Sequence, residues 1–150
     1  MGIVDDIYEE LKVAMRAEDR PRLLALRNIR DDLQKAEKAK LEPLTEDEVT
    51  QNLARQAKRC RDAAGEFRGG GRDDMADKEE AELAIILEYL PDQVSEAEVV
   101  ATAKEIIARV GAESHSDMGK VMGPLIGRFK GAADGSLVSR VVGELLAGEE

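Results

Sequence analysis

Glycine occurs at every fourth position in one short stretch of the chain, Ser116 to Gly131, which reads SDMGKVMGPLIGRFKG. Residues four apart lie on the same side of an α-helix, so this spacing would leave one side of a helix without side chains. Interior glycines cost a helix roughly 0.5–1 kcal/mol each relative to alanine, and an interior proline costs about 3 kcal/mol. Such a sequence is expected where the helix breaks at Gly123 and Pro124, or where another backbone approaches the bare side.

Basic side chains accompany these glycines, which makes an anionic partner one candidate for the approaching backbone. Lys120, Arg128 and Lys130 lie within or beside the stretch, and Arg140 follows in the next predicted helix. Cations of this kind donate hydrogen bonds to phosphates, and they are incompatible with the membrane helix pairs in which small residues recur four apart. Three occupants remain open: a neighbouring helix of this chain, a phosphodiester chain, or a partner protein.

No other stretch of the sequence predicts a catalytic or metal site. The segment GGGR at 69–72 resembles a phosphate-binding loop, but two aspartates follow it and the Lys-Ser/Thr pair is missing. His115 is the single histidine, which excludes a histidine metal cluster and predicts a surface loop. Cys60, the single cysteine, shares a helical face with Ala57 and Ala64, so we expect a buried small side chain rather than a nucleophile. The sequence therefore predicts no metal and no cofactor.

Charge is unevenly distributed along the chain. The net charge of −10 argues against indiscriminate nucleic-acid binding, and DNA is not expected as a partner. Residues 20–40 hold seven basic and three acidic side chains, and residues 55–72 hold six basic and two acidic ones. Residues 73–105, by contrast, hold eleven acidic and two basic side chains. Solvated helix faces account for such segregation in helical proteins.

Composition predicts an all-α protein. Aromatic residues make up 3% of the chain, while strong helix formers dominate. No window approaches the roughly 18 apolar residues of a membrane span, so we expect a cytoplasmic protein without a membrane partner.

Capping signals divide the chain into about four helices before residue 90 and three after it. Pro91 marks the joint, which predicts an N-terminal helical domain over 1–90 and a C-terminal three-helix domain over 91–150. The predicted helix starts are marked by Asp19, Thr45 with Glu48, Asp73 or Asp74, Ser95 with Glu98, Ser116 or Asp117, and Asp134.

Three motifs together resemble the GatB/YqeY family, the YqeY-like proteins whose C-terminal part is similar to the tail of the B subunit of the tRNA-dependent amidotransferase. They are E-x-x-E-L before YLP, then DMGKVMG, then KG-x-ADG before a helix rich in valine and leucine. The resemblance covers nearly the whole chain and is strongest from Gly71 to Leu146. Pro124 and Gly127 depart from the pattern, since less disruptive residues are expected there.

The resemblance implies an all-α, two-part protein that contacts transfer RNA. In the amidotransferase the tail is a mobile module, and the chemistry takes place in other domains. The family is often labelled with carbon–nitrogen ligase activity using glutamine as amide donor. Because this chain lacks the kinase-like and amidase parts, we expect no activity from this protein alone.

The resemblance also implies partners in translation, namely amidotransferase or aminoacyl-tRNA synthetase components. An alternative is an adaptor that docks a partner helix on the glycines without RNA. The candidate RNA-binding residues are Gly119, Lys120, Gly123, Arg128, Lys130, Gly131 and Arg140, while Asp134 is expected to cap the last helix beside Gly135.

Overall fold

The computed structural model describes residues 2–148 and contains, within that range, seven α-helices, one 3₁₀ turn and no strand. The predicted all-α class is confirmed. The chain divides into two compact units, residues 1–91 and residues 92–150, and each unit has its own apolar core.

The first unit consists of four helices, two of which begin with the expected side-chain caps. Asp19 accepts a hydrogen bond from the backbone N–H of Arg22, and Thr45 and Glu48 form the predicted capping box. These caps satisfy backbone donors that have no partner inside the helix. The helices are α1 (Ile3–Arg16), α2 (Arg20–Lys40), α3 (Glu46–Gly69) and α4 (Asp73–Leu87).

The start and the end of α4 differ from the sequence-based prediction. Asp73 or Asp74 was expected to cap this helix, but the N-cap is Arg72, and no side chain caps it. Both aspartates instead occupy the first turn, where carboxylates interact favourably with the helix dipole. The helix also ends at Leu87 rather than continuing to Pro91.

The core of the first unit forms around α3, which contacts each of the other three helices. Its buried side carries Val49, Leu53 and Ala57, and these pack with side chains such as Ile29 and Ile86 from the neighbouring helices. Cys60 is also buried, at 6% exposure, as predicted. Burial of these aliphatic groups is the main force that holds the four helices together.

Two buried amides interrupt this apolar surface and are fully connected by hydrogen bonds. The Gln56 amide donates to Asn52 Oδ1 at 2.7 Å and to the Ile29 carbonyl at 3.4 Å, and Asn52 donates to Asp32 at 3.0 Å. An unpaired buried amide would cost about 1–3 kcal/mol. The pairing therefore favours a single register between α2 and α3.

The second unit contains α5 (Glu96–Val110), a 3₁₀ turn (His115–Asp117), α6 (Met118–Arg128) and α7 (Gly135–Leu146). Ser95 accepts from the Glu98 N–H, and Asp134 caps α7 by accepting from the Ser136 N–H at 2.9 Å. The three helices contribute side chains such as Val99, Val121 and Val142 to one buried cluster.

Truncating Leu53, which is completely buried, should destabilise the first unit. We expect Leu53→Ala to lower its free energy of unfolding by about 2–5 kcal/mol through lost burial and a cavity. Both tyrosines, Tyr8 and Tyr89, belong to this unit, so tyrosine fluorescence during urea unfolding reports its stability. Leu41→Ala, at a residue 87% exposed, is the matched control and should change stability little. Equal effects of the two substitutions would contradict this core.

The capping box of α3 should make stability depend on pH. Hydrogen bonds from Lys40 and from the Thr45 backbone lower the pKa of Glu48 to about 2 from its ordinary value of 4.5. Because this pKa is depressed, the carboxylate's contribution is present above pH 4.5 and is lost as the pH falls towards 2. The stability difference between the wild type and Glu48→Gln, followed by tyrosine fluorescence, should shrink over that interval. A difference that stays constant from pH 6 to pH 2 would contradict this assignment.

Candidate nucleic-acid interface

Helix α6 buries one side and presents its glycines on the other. Val121, Leu125 and the C-cap residue Phe129 are buried in the core of the second unit. Gly119, Gly123 and Gly127 all lie on the opposite, solvent-exposed side. We call these three residues the glycine face.

Within the second unit, the glycine face is not a packing surface for another helix. A Cβ atom added at Gly119, Gly123 or Gly127 would have no atom within 4 Å, apart from the helix's own backbone and adjacent residues. A neighbouring helix packed against a glycine stripe would lie within van der Waals distance of such an atom. The possibility that the approaching backbone is a neighbouring helix of the second unit is therefore wrong for the described residues.

The predicted break at Gly123 and Pro124 is also wrong. Helix α6 continues through Pro124 as far as Arg128. Proline has no N–H, so it cannot make the helical hydrogen bond to the carbonyl of Lys120, four residues earlier. The buried series on the other side of the helix compensates for this cost.

Two of the predicted cationic residues extend from one side of α6, next to its glycines. The Lys120 side chain is 65% exposed, and its ammonium lies 3.3 Å from Asp117. Arg128 is exposed in the last turn, and no hydrogen bond or ion pair joins its side chain to another described residue. From Met118 to Ala133 the chain holds three basic side chains and no acidic one, although the protein as a whole is acidic. This segment is therefore a local positive patch.

Asp117 anchors the start of this patch. Its carboxylate accepts the backbone N–H of Glu113 at 2.9 Å and that of Ser114 at 3.4 Å. These bonds, together with the Lys120 ammonium, lower the pKa of Asp117. The carboxylate thus holds the 3₁₀ turn and restricts Lys120 at the same time. His115, in the same turn, is exposed as the sequence predicted.

The turn after α6 holds Lys130 and Gly131. Gly131 has a φ of +76°, in the left-handed region that glycine adopts at little cost. The segment before α5 fixes this turn, since Gln93 donates to the Gly131 carbonyl at 2.8 Å and the Val94 N–H donates to the Ala132 carbonyl at 2.9 Å. Lys130 is exposed at the end of α6.

Arg140 is more restricted than the other predicted cations. Its guanidinium, on α7, lies 2.8 Å from Glu96 and 3.2 Å from Glu144. Both carboxylates raise the pKa of Arg140 and locally neutralise its charge. An anion would therefore meet less positive potential here than at Arg128.

The exposed side of α6 also carries an apolar side chain. Ile126 is 49% exposed and lies on the helix three residues after Gly123. Residues three apart are neighbours on a helix surface, so Ile126 borders the glycine face. The exposed surface thus combines bare backbone, cations and one aliphatic group.

A second cluster, in the first unit, was missed by the sequence reasoning. One ligand atom each of Cys60, Glu79 and Glu82 lies within 4.8 Å of the other two. Burial first, and then the charges of Glu82 and Glu79, raise the pKa of the Cys60 thiol to about 12. Burial and the Glu79 charge also raise the pKa of Glu82. One feature of the sequence could have indicated this cluster. Cys60 lies about as many residues before the GGGR turn as Glu79 and Glu82 lie after it, so the turn can bring the three residues side by side.

Among the described residues, no helix combines the length and apolar character needed to cross a bilayer.

Adding a methyl group to the glycine face should stabilise the second unit. Because the added Cβ of Gly123→Ala meets no neighbour, we expect a gain of roughly 0.5–1 kcal/mol from helix propensity. Gly131→Ala is the contrasting control, since a left-handed residue with a Cβ costs about 1–2 kcal/mol. Methyl NMR signals of Val121 and Val142 during urea unfolding report on this unit. A loss of stability in Gly123→Ala would mean that the face is packed after all.

Comparison with known proteins gives one family and one curated relative. The family model described as Yqey-like protein matches residues 4–146. The relative is "Altered inheritance of mitochondria protein 41, mitochondrial" from Pyrenophora tritici-repentis (strain Pt-1C-BFP), which is 29% identical over 148 residues. That alignment covers 96% of this chain and 81% of the relative. Since the family match spans almost the whole chain, including both helical units, the chain belongs to the YqeY-like family.

Proposed function

We propose that this YqeY-like protein is an accessory module that binds transfer RNA through the glycine face of α6. The observation that carries the proposal is the exposure of this face, with no described atom near its missing side chains, inside a segment of three cations and no acid. The resemblance of this segment to the tail of the amidotransferase B subunit supports transfer RNA as the nucleic acid that binds there.

The bare backbone is suited to a sugar–phosphate chain. Without Cβ atoms at Gly119, Gly123 and Gly127, a ligand can come closer to the helix axis than other residues allow. Lys120 and Arg128 each follow a glycine of this face by one residue, so both extend from the same side of the strip, where they are placed to contact phosphates. Lys130 extends the positive patch beyond the end of the helix. Arg140 has no phosphate contact in this proposal, because Glu96 and Glu144 already engage it.

Recognition by shape rather than by base stacking fits the composition. The second unit contains one aromatic residue, Phe129, and it is buried in the core. Proteins that read exposed RNA bases usually stack them on aromatic side chains, whereas folded RNA is recognised largely through its backbone and 2′-hydroxyls.

In this proposal the protein supplies binding and not chemistry. The carbon–nitrogen ligase label of the family would then describe a partner, such as an amidotransferase or an aminoacyl-tRNA synthetase component. Incubating the pure protein with glutamine, ATP and misacylated transfer RNA tests this division. Formation of an amidated product by the protein alone would overturn it.

Charge reversal on α6 should weaken RNA binding and its dependence on salt. For Lys120→Glu combined with Arg128→Glu we expect a weaker affinity for transfer RNA, with the log–log salt slope reduced by roughly 1 per lost phosphate contact. Lys104→Glu, an exposed charge reversal on α5, is the control for net charge; it introduces half of this change in charge and should have far less than half of the effect. Binding is measured over a salt series with double-stranded DNA as competitor.

Three results would contradict the RNA proposal: no saturable binding at low salt, equal affinity for the DNA, or an equal loss in Lys104→Glu. The last of these would indicate a response to net charge and not to a site.

A second candidate is a protein adaptor that receives a partner helix on the same face, and the exposed Ile126 favours it. Small residues allow two helices to approach closely, and an aliphatic neighbour adds apolar area. Ile126→Asp separates the two candidates, because it should abolish helix docking and reduce RNA binding only modestly. The charge reversals should have the opposite pattern.

A further inference from the structure

A thiol and two carboxylates converge between α3 and α4, in a part of the first unit that the RNA proposal does not use. Cys60 Sγ and one carboxylate oxygen each of Glu79 and Glu82 all lie within 4.8 Å of one another. Cys60 is 6% exposed, and both glutamates are partly buried. We call these residues the Cys–Glu cluster.

Other acids on α4 are arranged differently. Asp77 and Glu80 are exposed, and both pair with Arg68 at 2.8 Å. The carboxylates of Glu79 and Glu82, by contrast, lie close to Cys60 of α3 and close to each other. Placing two carboxylates side by side, partly out of water, is unfavourable unless a cation or a proton lies between them.

The charge of Arg59 acts on Cys60 and Glu82 but offsets their surroundings only in part, since the pKa of each is still raised. Arg59 precedes Cys60 on α3, but its guanidinium is hydrogen-bonded to Asp32 on α2. The buried thiol lies within 4.8 Å of a carboxylate oxygen of Glu79 and of Glu82, and it is hydrogen-bonded to Glu79. The cluster therefore combines three potential metal ligands with an unbalanced negative charge.

We propose that Cys60, Glu79 and Glu82 bind one divalent metal ion, and that Zn²⁺ fits the donor set best. One sulfur and two carboxylate oxygens suit a borderline ion, whereas Ca²⁺ and Mg²⁺ prefer oxygen alone and Cu⁺ prefers soft sulfur ligands. On binding, the Cys60 thiol proton leaves to solvent and the thiolate sulfur takes its place on the ion. A water molecule would complete four-coordination.

The spacing is compatible with this geometry. Ligands at 2.0–2.3 Å around a tetrahedral zinc are roughly 3.3–3.8 Å apart, somewhat closer than the 4.8 Å limit within which the three atoms lie. Glutamate side chains have enough rotatable bonds to close the remaining distance without movement of α3 or α4. The i, i+3 spacing of Glu79 and Glu82 places both carboxylates on one face of α4.

A solvent groove gives an ion access to the cluster. It has a volume of about 800 Å³, runs between α2 and α4, and includes Glu79, Glu82 and Asn28 in its walls. Asn28 also hydrogen-bonds the Glu82 side chain and so orients one ligand. Cys60 lies behind these glutamates on the buried side.

Cobalt titration of the full chain, previously stripped of metal, tests the proposal. Co²⁺ replaces Zn²⁺ at thiolate sites and produces a sulfur-to-metal charge-transfer absorption in the near ultraviolet. We expect this band to saturate at one equivalent and to disappear when Zn²⁺ is added. Zn²⁺ should also raise the thermal unfolding temperature. Absence of the band would reduce the cluster to a thiol–carboxylate hydrogen bond and overturn the proposal.

Single substitutions assign the ligands. Cys60→Ser, which keeps the side-chain volume, should remove the band, and Glu79→Gln or Glu82→Gln should weaken cobalt binding by at least about tenfold, the lower end of the effect of outer-shell changes. Glu80→Gln, on the exposed side of the same helix, is the matched control and should bind as the wild type does. An equal loss in Glu80→Gln would mean diffuse binding to an acidic surface and would overturn the site. Circular dichroism confirms that each variant is folded.

Discussion

The first unit depends on the buried hydrogen-bond chain from Gln56 through Asn52 to Asp32. Amides at this depth are tolerated only when each one has a partner, so the chain admits one alignment of α2 and α3. A shift of either helix would leave Gln56 without the Ile29 carbonyl. The same alignment determines where the next turn of α3 points. Cys60 follows Gln56 by one turn on the buried side, and it therefore faces the glutamates of α4 rather than solvent.

Much of the fold could be predicted from local sequence signals. Asp19, the Thr45–Glu48 box and Asp134 act within one helical turn, and all three caps were found because their chemistry does not depend on distant residues. The N-cap of α4 was predicted wrongly because aspartate is favoured both at an N-cap and in the first turn of a helix. The sequence alone does not distinguish these two positions for Asp73 and Asp74. The Cys–Glu cluster could not be found in this way, since it depends on how α3 and α4 align across their turn.

The orientation of the glycine face was predictable, although the occupant was not. Val121, Leu125 and Phe129 follow their own four-residue spacing, opposite the glycines, and their burial turns the glycines outward. The basic stretches of α2 and α3 show the limit of charge counting. Arg22 binds Glu10 and Glu88, and Arg68 binds acids of α4, so interhelical pairs already engage much of this charge. Sequence counts cannot show this pairing, because the partners are distant in the chain.

The composition of α6 also makes its helical structure depend on packing against its neighbours. With three glycines and a proline in eleven residues, its intrinsic helicity is too low for it to form alone in water. Its order is supplied by burial against α5 and α7, so we expect α6 to open locally before the helices around it. Amide hydrogens along α6 would then exchange faster than those of α5. The exposed face is consequently the part of the unit whose backbone can adjust most readily to the curvature of a bound partner.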